Sequence, residues 1–182
     1  PVEGRRADLT AVEAAARAVG AVLRRGDLVV LESTVPPGTT KGFLAKVLRS
    51  VSSLEPGEDF PLAYCPERVL PGAALKELVN NDRLMGGVDG RSARAAATLY
   101  SRFVDGALIK CDALEAEICK LAENAFRDVN IAFANELARL CETHGADVWR
   151  VLDLANRHPR VSVLRPGAGV GGHCIPVDPW ML

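Results

Sequence analysis

The stretch that most constrains the fold is the run from Ala113 to Thr143, which contains neither glycine nor proline. Apolar residues follow one another along it at helical spacing: Leu114, Ile118, Leu121, Ala125, Val129, Ala132, Leu137 and Leu140. The pattern predicts a single helix roughly 45 Å long, which exceeds the width of one small domain. We therefore expect the helix to connect two domains or to pair with a second copy of the chain.

The same helix carries a polar line formed by Lys120, Asn124, Asp128 and Asn135. Steps of four and eleven residues return to nearly the same side of a helix, so these side chains share one face. A solvated face is the ordinary explanation. Two amides in a helix interior are unusual, however, because amides favour caps and turns, and we interpret the line as functional.

Short apolar segments alternate with helical segments before this long helix. Strands are predicted at Leu28–Leu31, Leu62–Cys65, Leu84–Val88 and Ala107–Ile109, and helices at about 9–25, 40–51 and 91–103. Such alternation predicts a parallel sheet and the α/β class. One further helix is predicted after the long one, at about 147–156 with Asp147 as its cap.

Polar residues follow two of the predicted strands directly. Ser33 and Thr34 come after the first strand, and Glu67 and Arg68 come after the second. Ligands of open α/β sheets bind outside the carboxyl ends of the strands, so these residues are candidates for a binding site. Ordinary turn and capping chemistry explains Ser33 and Thr34 equally well.

Cys174 lies in the segment Gly171–Pro179. A free cysteine is usually a small buried side chain, but the glycines before this one offer no cover, and Pro176 and Pro179 prevent a helix from burying it. Asp178 follows four residues later as a candidate acid or base. The segment therefore predicts an accessible nucleophile.

The loop Gly167–Gly172 satisfies the pattern G-x-G-x-x-G. That pattern indicates a dinucleotide site only where it opens a helix after a strand, with an acidic residue about twenty positions later. The chain ends at Leu182 and the segment after the loop is a poor start for a helix. We interpret the loop as one that approaches a phosphate or a sugar.

Charge and cysteine content exclude several classes of function. The chain has 22 basic and 23 acidic residues, well mixed, which does not favour a nucleic-acid partner. No apolar run is long enough for a membrane helix and no leader is evident, so we expect no membrane insertion and a cytoplasmic location. Five cysteines without a C-x-x-C pair predict reduced thiols and no metal site.

Four segments together resemble the nucleotide-sugar 6-dehydrogenases of the UDP-glucose/GDP-mannose dehydrogenase family, most closely the branch that acts on UDP-N-acetyl-D-mannosamine. The segments are Glu32–Thr39, Pro66–Gly72, Lys120–Glu136 and Gly171–Pro179. They occur in the family's order and cover essentially the whole chain.

The resemblance implies an NAD-dependent four-electron oxidation of the C6 hydroxymethyl of a UDP-sugar to a carboxylate, in polysaccharide biosynthesis. Cys174 would trap the intermediate aldehyde as a thiohemiacetal, which is oxidised to a thioester and released by water. Lys120 and Asn124 would stabilise charge on the reacting oxygen and handle its proton. Glu67 and Asp178 are the candidates for activating water, and their order stays open.

The resemblance also assigns binding residues. Ser33 and Thr34 would bind NAD, with Thr34 near its nicotinamide end. The substrate would contact Arg68, Val69, Arg127, Asn135, His158, Arg160 and Gly169, the last within the loop 167–172. Val177 stands where enzymes acting on UDP-glucose typically have a lysine, and this favours UDP-N-acetylmannosamine, while UDP-glucose and other UDP-sugars stay open.

By the same resemblance, residues 1–111 are the latter part of a Rossmann-like NAD-binding domain, and residues 112–182 are a central helical domain for dimerisation and catalysis. The N-terminal G-x-G-x-x-G unit and the C-terminal UDP-binding domain of the family have no counterpart in the chain. We therefore expect a central fragment that is inactive alone, and a homodimer formed through the helix 113–143.

Two other classes of function remain open. A non-catalytic module would explain missing machinery, although it gains nothing from Cys174, Lys120, Asn124 and Glu67. A cysteine hydrolase would need a histidine such as His158 within hydrogen-bond reach of Cys174.

Overall fold

The computed structural model describes Val2–Glu3 and residues 6–69, 72–172 and 174–182. Leu70, Pro71 and His173, which belong to two of the four segments named above, lie outside the described residues. The chain divides into two compact units, one of Pro1–Lys120 with Met181–Leu182 and one of Leu121–Trp180.

The first unit is built on a four-stranded sheet. Strands β1 (Val2–Glu3) and β2 (Arg6–Ala7) form a small antiparallel pair of their own. The main sheet consists of β3 (Val29–Leu31), β4 (Leu62–Tyr64), β5 (Arg83–Gly87) and β6 (Leu108–Asp112), side by side in that order. All four predicted strands are present, and the α/β class is confirmed.

One pair in the main sheet differs from the parallel arrangement that alternation predicts. β3 with β4 and β5 with β6 run parallel, whereas β4 and β5 run antiparallel, with Ala63 opposite Gly87. The connection between these two strands contains helix α3 (Ala74–Asn80), which buries none of its residues. It therefore does not act as the packed crossover helix that a parallel pair requires, and the sheet is mixed.

Helices cover both faces of this sheet. Helix α1 (Thr10–Gly20) and a helix that begins as a π-helical turn at Thr40–Leu44 and continues as α2 (Ala45–Ser52) pack on one face. Helix α4 (Gly90–Tyr100), with Asp89 as its N-cap, packs on the other. β4 is completely buried between them, as expected for a central strand of an α/β sheet.

Helix α5 spans Ala113–Thr143, the bounds that its sequence predicts. The apolar stripe predicted from spacing is not the face that it buries: Leu121 is fully buried, but Val129 is 66% exposed and Leu140 is 55% exposed. Small residues face the sheet instead. Ala116 packs so closely on Gly86 of β5 that a Cβ atom added at Gly86 would lie only 2.7 Å from the Cβ of Ala116. Because the helix packs so closely on the strand, alanine fits at this position and the larger leucine does not.

The second unit contains the rest of α5, helix α6 (Val148–Ala155) and the long segment that follows. Asp147 caps α6 as predicted, since its carboxylate accepts a 2.9 Å hydrogen bond from the Trp149 backbone N–H. A short 3-10 helix at Asp178–Met181 comes near the end of the chain. Within the described residues, no helix combines the length and the apolar character needed to span a membrane.

Candidate active site

The segment after β3 is folded into a tight connection before the helix that begins at Thr40. Val35 is fully buried and anchors its middle, while Ser33 stays exposed and Thr34 is half-buried. The Thr39 hydroxyl donates to the Pro36 carbonyl at 2.6 Å. The two hydroxyls predicted to bind a cofactor thus lie at the carboxyl end of a strand, on a segment with fixed ends.

A carboxylate from α5 holds the far end of this segment. Glu117 is fully buried and accepts hydrogen bonds from the backbone N–H groups of Gly38 (2.6 Å) and Thr40 (2.8 Å) and from the Thr40 hydroxyl (2.6 Å). Glu117 is not among the residues predicted from the sequence. Its signal was an acidic residue one turn before Lys120, directly after Ala116, which is itself fully buried.

Glu67 follows β4 and is fixed by its own neighbours. Its Oε1 atom accepts hydrogen bonds from the backbone N–H groups of Arg68 (2.6 Å) and Val69 (2.7 Å), and its Oε2 atom lies 3.2 Å from Arg83 Nη2. Burial raises the pKa of the Glu67 carboxyl, but these donors outweigh burial and hold that pKa below its ordinary value. Glu67 is therefore an ionised acceptor at neutral pH.

Arg83 is a second residue of this region that the sequence does not predict. Its side chain is 4% exposed, and its guanidinium lies 5.4 Å from the centre of the Tyr100 ring and approaches Glu32 to 3.8 Å. The Tyr100 hydroxyl donates to the same Glu32 carboxylate, and burial followed by that hydrogen bond raises the pKa of Tyr100. The single guanidinium of Arg83 therefore lies near both the Glu67 and the Glu32 carboxylates and offsets their negative charge.

In the second unit, Asn124 and Asp178 are brought together. The Asn124 side-chain N–H donates to Asp178 Oδ2 at 2.5 Å, and Asp178 is only 4% exposed. Cys174 begins the turn that places Asp178 there, because its carbonyl accepts hydrogen bonds from the N–H groups of Val177 (3.0 Å) and Asp178 (2.9 Å). The Cys174 side chain itself is exposed, as predicted for a nucleophile.

Three asparagines hold the segment between α6 and the cysteine turn. Asn130 bonds the carbonyl of Ser162 and the N–H of Leu164, both at 2.8 Å. Asn156 bonds the N–H and carbonyl of Val163, and the Asn135 carbonyl oxygen accepts from the Gly167 N–H at 2.8 Å. Asn135, predicted as a substrate residue, is thus engaged with the loop 167–172. Asn130 and Asn156 were not identified from the sequence.

The remaining predicted substrate residues lie on the surface of their units. Arg127, His158, Arg160 and Gly169 are exposed, and the Arg68 side chain donates to the Asp82 carbonyl. Both ring nitrogens of His158 contact Arg160, each at 3.4 Å. Since the ring is engaged there, nothing in the described structure supports His158 as the base of a cysteine hydrolase.

Lys120, on α5, is half-buried. It lies one helical turn after Glu117 and one turn before Asn124, so the three side chains follow one side of the helix. No group of three or more metal-ligating side chains occurs among the described residues.

Comparisons with known proteins identify the family of the chain. Residues 1–104 match the NAD-binding domain of the UDP-glucose/GDP-mannose dehydrogenase family, and residues 114–182 match the central domain of the same family. The first match confirms NAD as the predicted cofactor.

Individual relatives are similar along the whole chain. An NDP-N-acetyl-D-galactosaminuronic acid dehydrogenase of Ralstonia solanacearum is 56% identical over 100% of this chain and 44% of its own. A UDP-N-acetyl-D-mannosamine dehydrogenase of Escherichia coli is 49% identical over 96% and 43%, respectively.

Among solved structures, that of a UDP-N-acetylmannosamine dehydrogenase from Pyrococcus horikoshii superposes with a TM-score of 0.97 at 49% identity, covering 100% of this chain and 43% of its own. The chain thus spans less than half the length of the relatives it matches. With both of its parts matched by family models in the expected order, the chain belongs to the UDP-glucose/GDP-mannose dehydrogenase family.

Proposed function

We propose that this chain is the central part of an NAD-dependent dehydrogenase that oxidises the C6 hydroxyl of a UDP-acetamido sugar to a carboxylate, with UDP-N-acetyl-D-mannosamine as the first candidate. The observation that carries the proposal is the joining of Asn124 to Asp178 by the turn that begins at the exposed Cys174. An exposed thiol with an oriented amide and a buried carboxylate is an arrangement suited to covalent oxidation of an aldehyde.

Asp178 orients the Asn124 amide. One N–H of Asn124 Nδ2 donates to the carboxylate, which leaves the second N–H to donate to a substrate oxygen. Lys120, one turn earlier on α5, supplies a cation for the same oxygen. Together they would stabilise negative charge on the C6 oxygen while the Cys174 thiolate adds to the aldehyde carbon.

Water must then attack the thioester and release the acid. Glu67 is held ionised by Arg83 and two backbone N–H groups, which makes it a weak base but a good acceptor for orienting a water molecule. Asp178 is already engaged with Asn124. We therefore propose Glu67 as the group that positions water and Asp178 as the group that positions Asn124.

NAD, when bound, would accept the hydride in each of the two oxidation steps. The donors that we propose for its nicotinamide end are the Ser33 and Thr34 hydroxyls, which lie at the carboxyl end of β3. Hydroxyls of this kind suit the carboxamide group, which both donates and accepts.

The sugar preference rests on Val177 and on the relatives. Relatives named for N-acetylmannosamine and for N-acetylgalactosaminuronic acid are both about half identical to this chain. An acetamido sugar is common to these names, so we propose UDP-N-acetylmannosamine first and its galacto-configured counterpart second. Arg68, Val69, Arg127, His158, Arg160, Asn135 and Gly169 are the residues that we propose to contact the UDP-sugar.

A second copy of the chain is the proposed partner of α5. Phe126, Val129, Phe133 and Leu140 lie along one side of the helix and are between 55% and 66% exposed. Spacings of three, four and seven residues are those of helices that pair lengthwise. We propose a cytoplasmic homodimer, and we place the domain boundary between residues 111 and 112, just before α5.

The test is NADH production by the full-length protein with UDP-N-acetylmannosamine, UDP-N-acetylgalactosamine and UDP-glucose in parallel, beside Cys174→Ala. We expect two NADH per acetamido sugar, lost in the variant because no thioester forms. If folded protein that binds NAD oxidises none of the three sugars, the substrate proposal is wrong.

A further inference from the structure

Glu117 is an ionisable side chain with no contact to solvent. A buried carboxylate is costly unless hydrogen bonds replace its hydration. Here three donors do so: the N–H groups of Gly38 and Thr40 and the Thr40 hydroxyl, all within 2.8 Å. Gly38 belongs to the segment that joins β3 to the following helix, and Thr40 is the first residue of that helix. The three hydrogen bonds therefore connect the end of this segment to α5.

The segment is held at both ends. At its start, Leu31 of β3 pairs in register with Tyr64 of β4. At its far end, Gly38 adopts a φ of +84°, which favours glycine, and turns its N–H toward Glu117. Ser33 and Thr34 lie between these two anchors, so their position relative to α5 depends on the Glu117 hydrogen bonds.

The helix that carries Glu117 also carries Lys120. Three residues along a helix correspond to an axial rise of about 4.5 Å. Glu117, which holds the segment that contains Ser33 and Thr34, therefore lies within one turn of Lys120, the proposed acid–base residue. Both belong to the same helix, α5.

We infer that Glu117 is a positioning residue, which sets the distance between the cofactor-binding hydroxyls of Ser33 and Thr34 and the Lys120 ammonium. This inference rests on the proposed function. Its physical basis is that hydride and proton transfer depend steeply on geometry, and a displacement of about 1 Å can cost about a hundredfold in rate.

Glu117→Gln is the informative substitution, because it keeps the shape of the side chain. Both oxygens of Glu117 accept hydrogen bonds, whereas an amide offers one oxygen and one NH₂ group. Either orientation sets an N–H donor against another N–H donor. Thr40→Val is a milder variant, which removes only the hydroxyl donor and keeps both backbone N–H groups.

The experiment uses the full-length protein with these two variants and with Glu142→Gln as the matched control, since Glu142 is an exposed glutamate on the same helix. Hydrogen exchange is measured first, without ligands. We expect faster exchange at amides of residues 33–40 in Glu117→Gln, unchanged exchange in β5, and no change in the control. Unchanged exchange at residues 33–40 would overturn the inference.

Kinetics then separate positioning from general stability. We expect kcat/KM for NAD to fall between about tenfold and a hundredfold in Glu117→Gln, less in Thr40→Val, with the Kd of the UDP-sugar unchanged. The primary isotope effect with sugar deuterated at C6 should increase, because hydride transfer becomes more rate-limiting. Wild-type kinetics with a lowered melting temperature would show a purely structural role and contradict the inference.

The two proposals can fail separately. If the wild-type protein oxidises no UDP-sugar, the proposed function is wrong, while NAD affinity and hydrogen exchange still report on Glu117. If Glu117→Gln does not fold, Thr40→Val decides the question, since loss of one of three hydrogen bonds leaves the fold intact. A Thr40→Val protein with wild-type exchange and wild-type isotope effect would count against the inference.

Discussion

Asn124 and Asp178 are 54 residues apart in the chain and are joined by a 2.5 Å hydrogen bond. Asp178 reaches Asn124 because the turn after Cys174 brings its backbone N–H to the Cys174 carbonyl. The exposed thiol and the buried carboxylate are therefore fixed by one turn, and a change at Asp178 should act through the orientation of the Asn124 amide.

Asp178→Asn should reduce kcat by about a hundredfold or more, the usual effect of losing an acid–base or orienting group. The Kd of the UDP-sugar should change little, because the variant keeps the side-chain shape. The measurement is steady-state NADH formation by the full-length protein. Asp153→Asn on α6, an exposed residue, serves as the control, and equal activity of the two variants would contradict the assignment.

Thiol labelling should rank the five free cysteines by exposure. With iodoacetamide at a pH of about 8, Cys174 should react first, and loss of activity should follow its modification. Cys65 should react only after unfolding, because it is 1% exposed and burial raises the pKa of its thiol to about 12. Peptide mass spectrometry gives the order, and labelling of Cys65 in folded protein would refute it.

Acid stability should depend on Glu67. Its pKa in the folded protein lies below the ordinary value of 4.5, so its contribution to the free energy of unfolding is present above about that pH and is lost as the pH falls through the folded-state pKa. Glu67→Gln should therefore flatten the dependence of the urea midpoint on pH between about 3 and 5. A variant curve parallel to that of the wild-type protein would show that Glu67 is not stabilised in its ionised form.

Asn130→Ala should loosen the segment that leads to the cysteine turn. It removes two hydrogen bonds to main-chain atoms, each worth about 1 kcal/mol. We expect the Kd of the UDP-sugar to increase several-fold while the Kd of NAD stays the same, both measured by calorimetry. Asn80→Ala, which removes a hydrogen bond within α3, is the control, and a matching effect of both variants on sugar binding would argue against the prediction.

Phe133→Glu should dissociate the proposed dimer. Phe133 lies in the middle of the exposed stripe on α5, and a carboxylate buried between two helices lacks a partner there. Sedimentation of the full-length protein should show monomers for this variant and dimers for Leu99→Glu, which places the same charge on α4. If the Phe133→Glu variant remained a dimer, the interface would have to lie elsewhere on the protein.

The sequence predicts the regular elements well because their signals are local. The absence of glycine and proline from 113–143 predicts α5 to the residue, and the apolar runs predict all four strands of the main sheet. The antiparallel pair of β4 and β5 was not predicted, because strand direction depends on how a connection packs and not on the strands' own residues.

The residues of the candidate site also separate into those with a local sequence signal and those that depend on distant contacts. Cys174, Glu67 and Asn124 could be chosen as candidates because their local motifs indicate the proposed chemistry. Glu117 and Arg83, in contrast, contact residues distant in sequence. Glu117 is 77 residues from its partner Thr40, and Arg83 is 16 residues from its partner Glu67. Their burial could not be foreseen, because charged residues are rarely buried unless a partner is available, and those partners are visible only in three dimensions.

Asn130, Asn135 and Asn156 hold the segment 162–167 through its main-chain N–H and carbonyl groups, and through none of its side chains. Every amino acid offers those same groups, apart from the N–H that proline lacks. Substitutions within the segment should therefore leave its path unchanged. The surface that these residues present to a ligand can in this way be altered one side chain at a time, on a backbone that keeps its course.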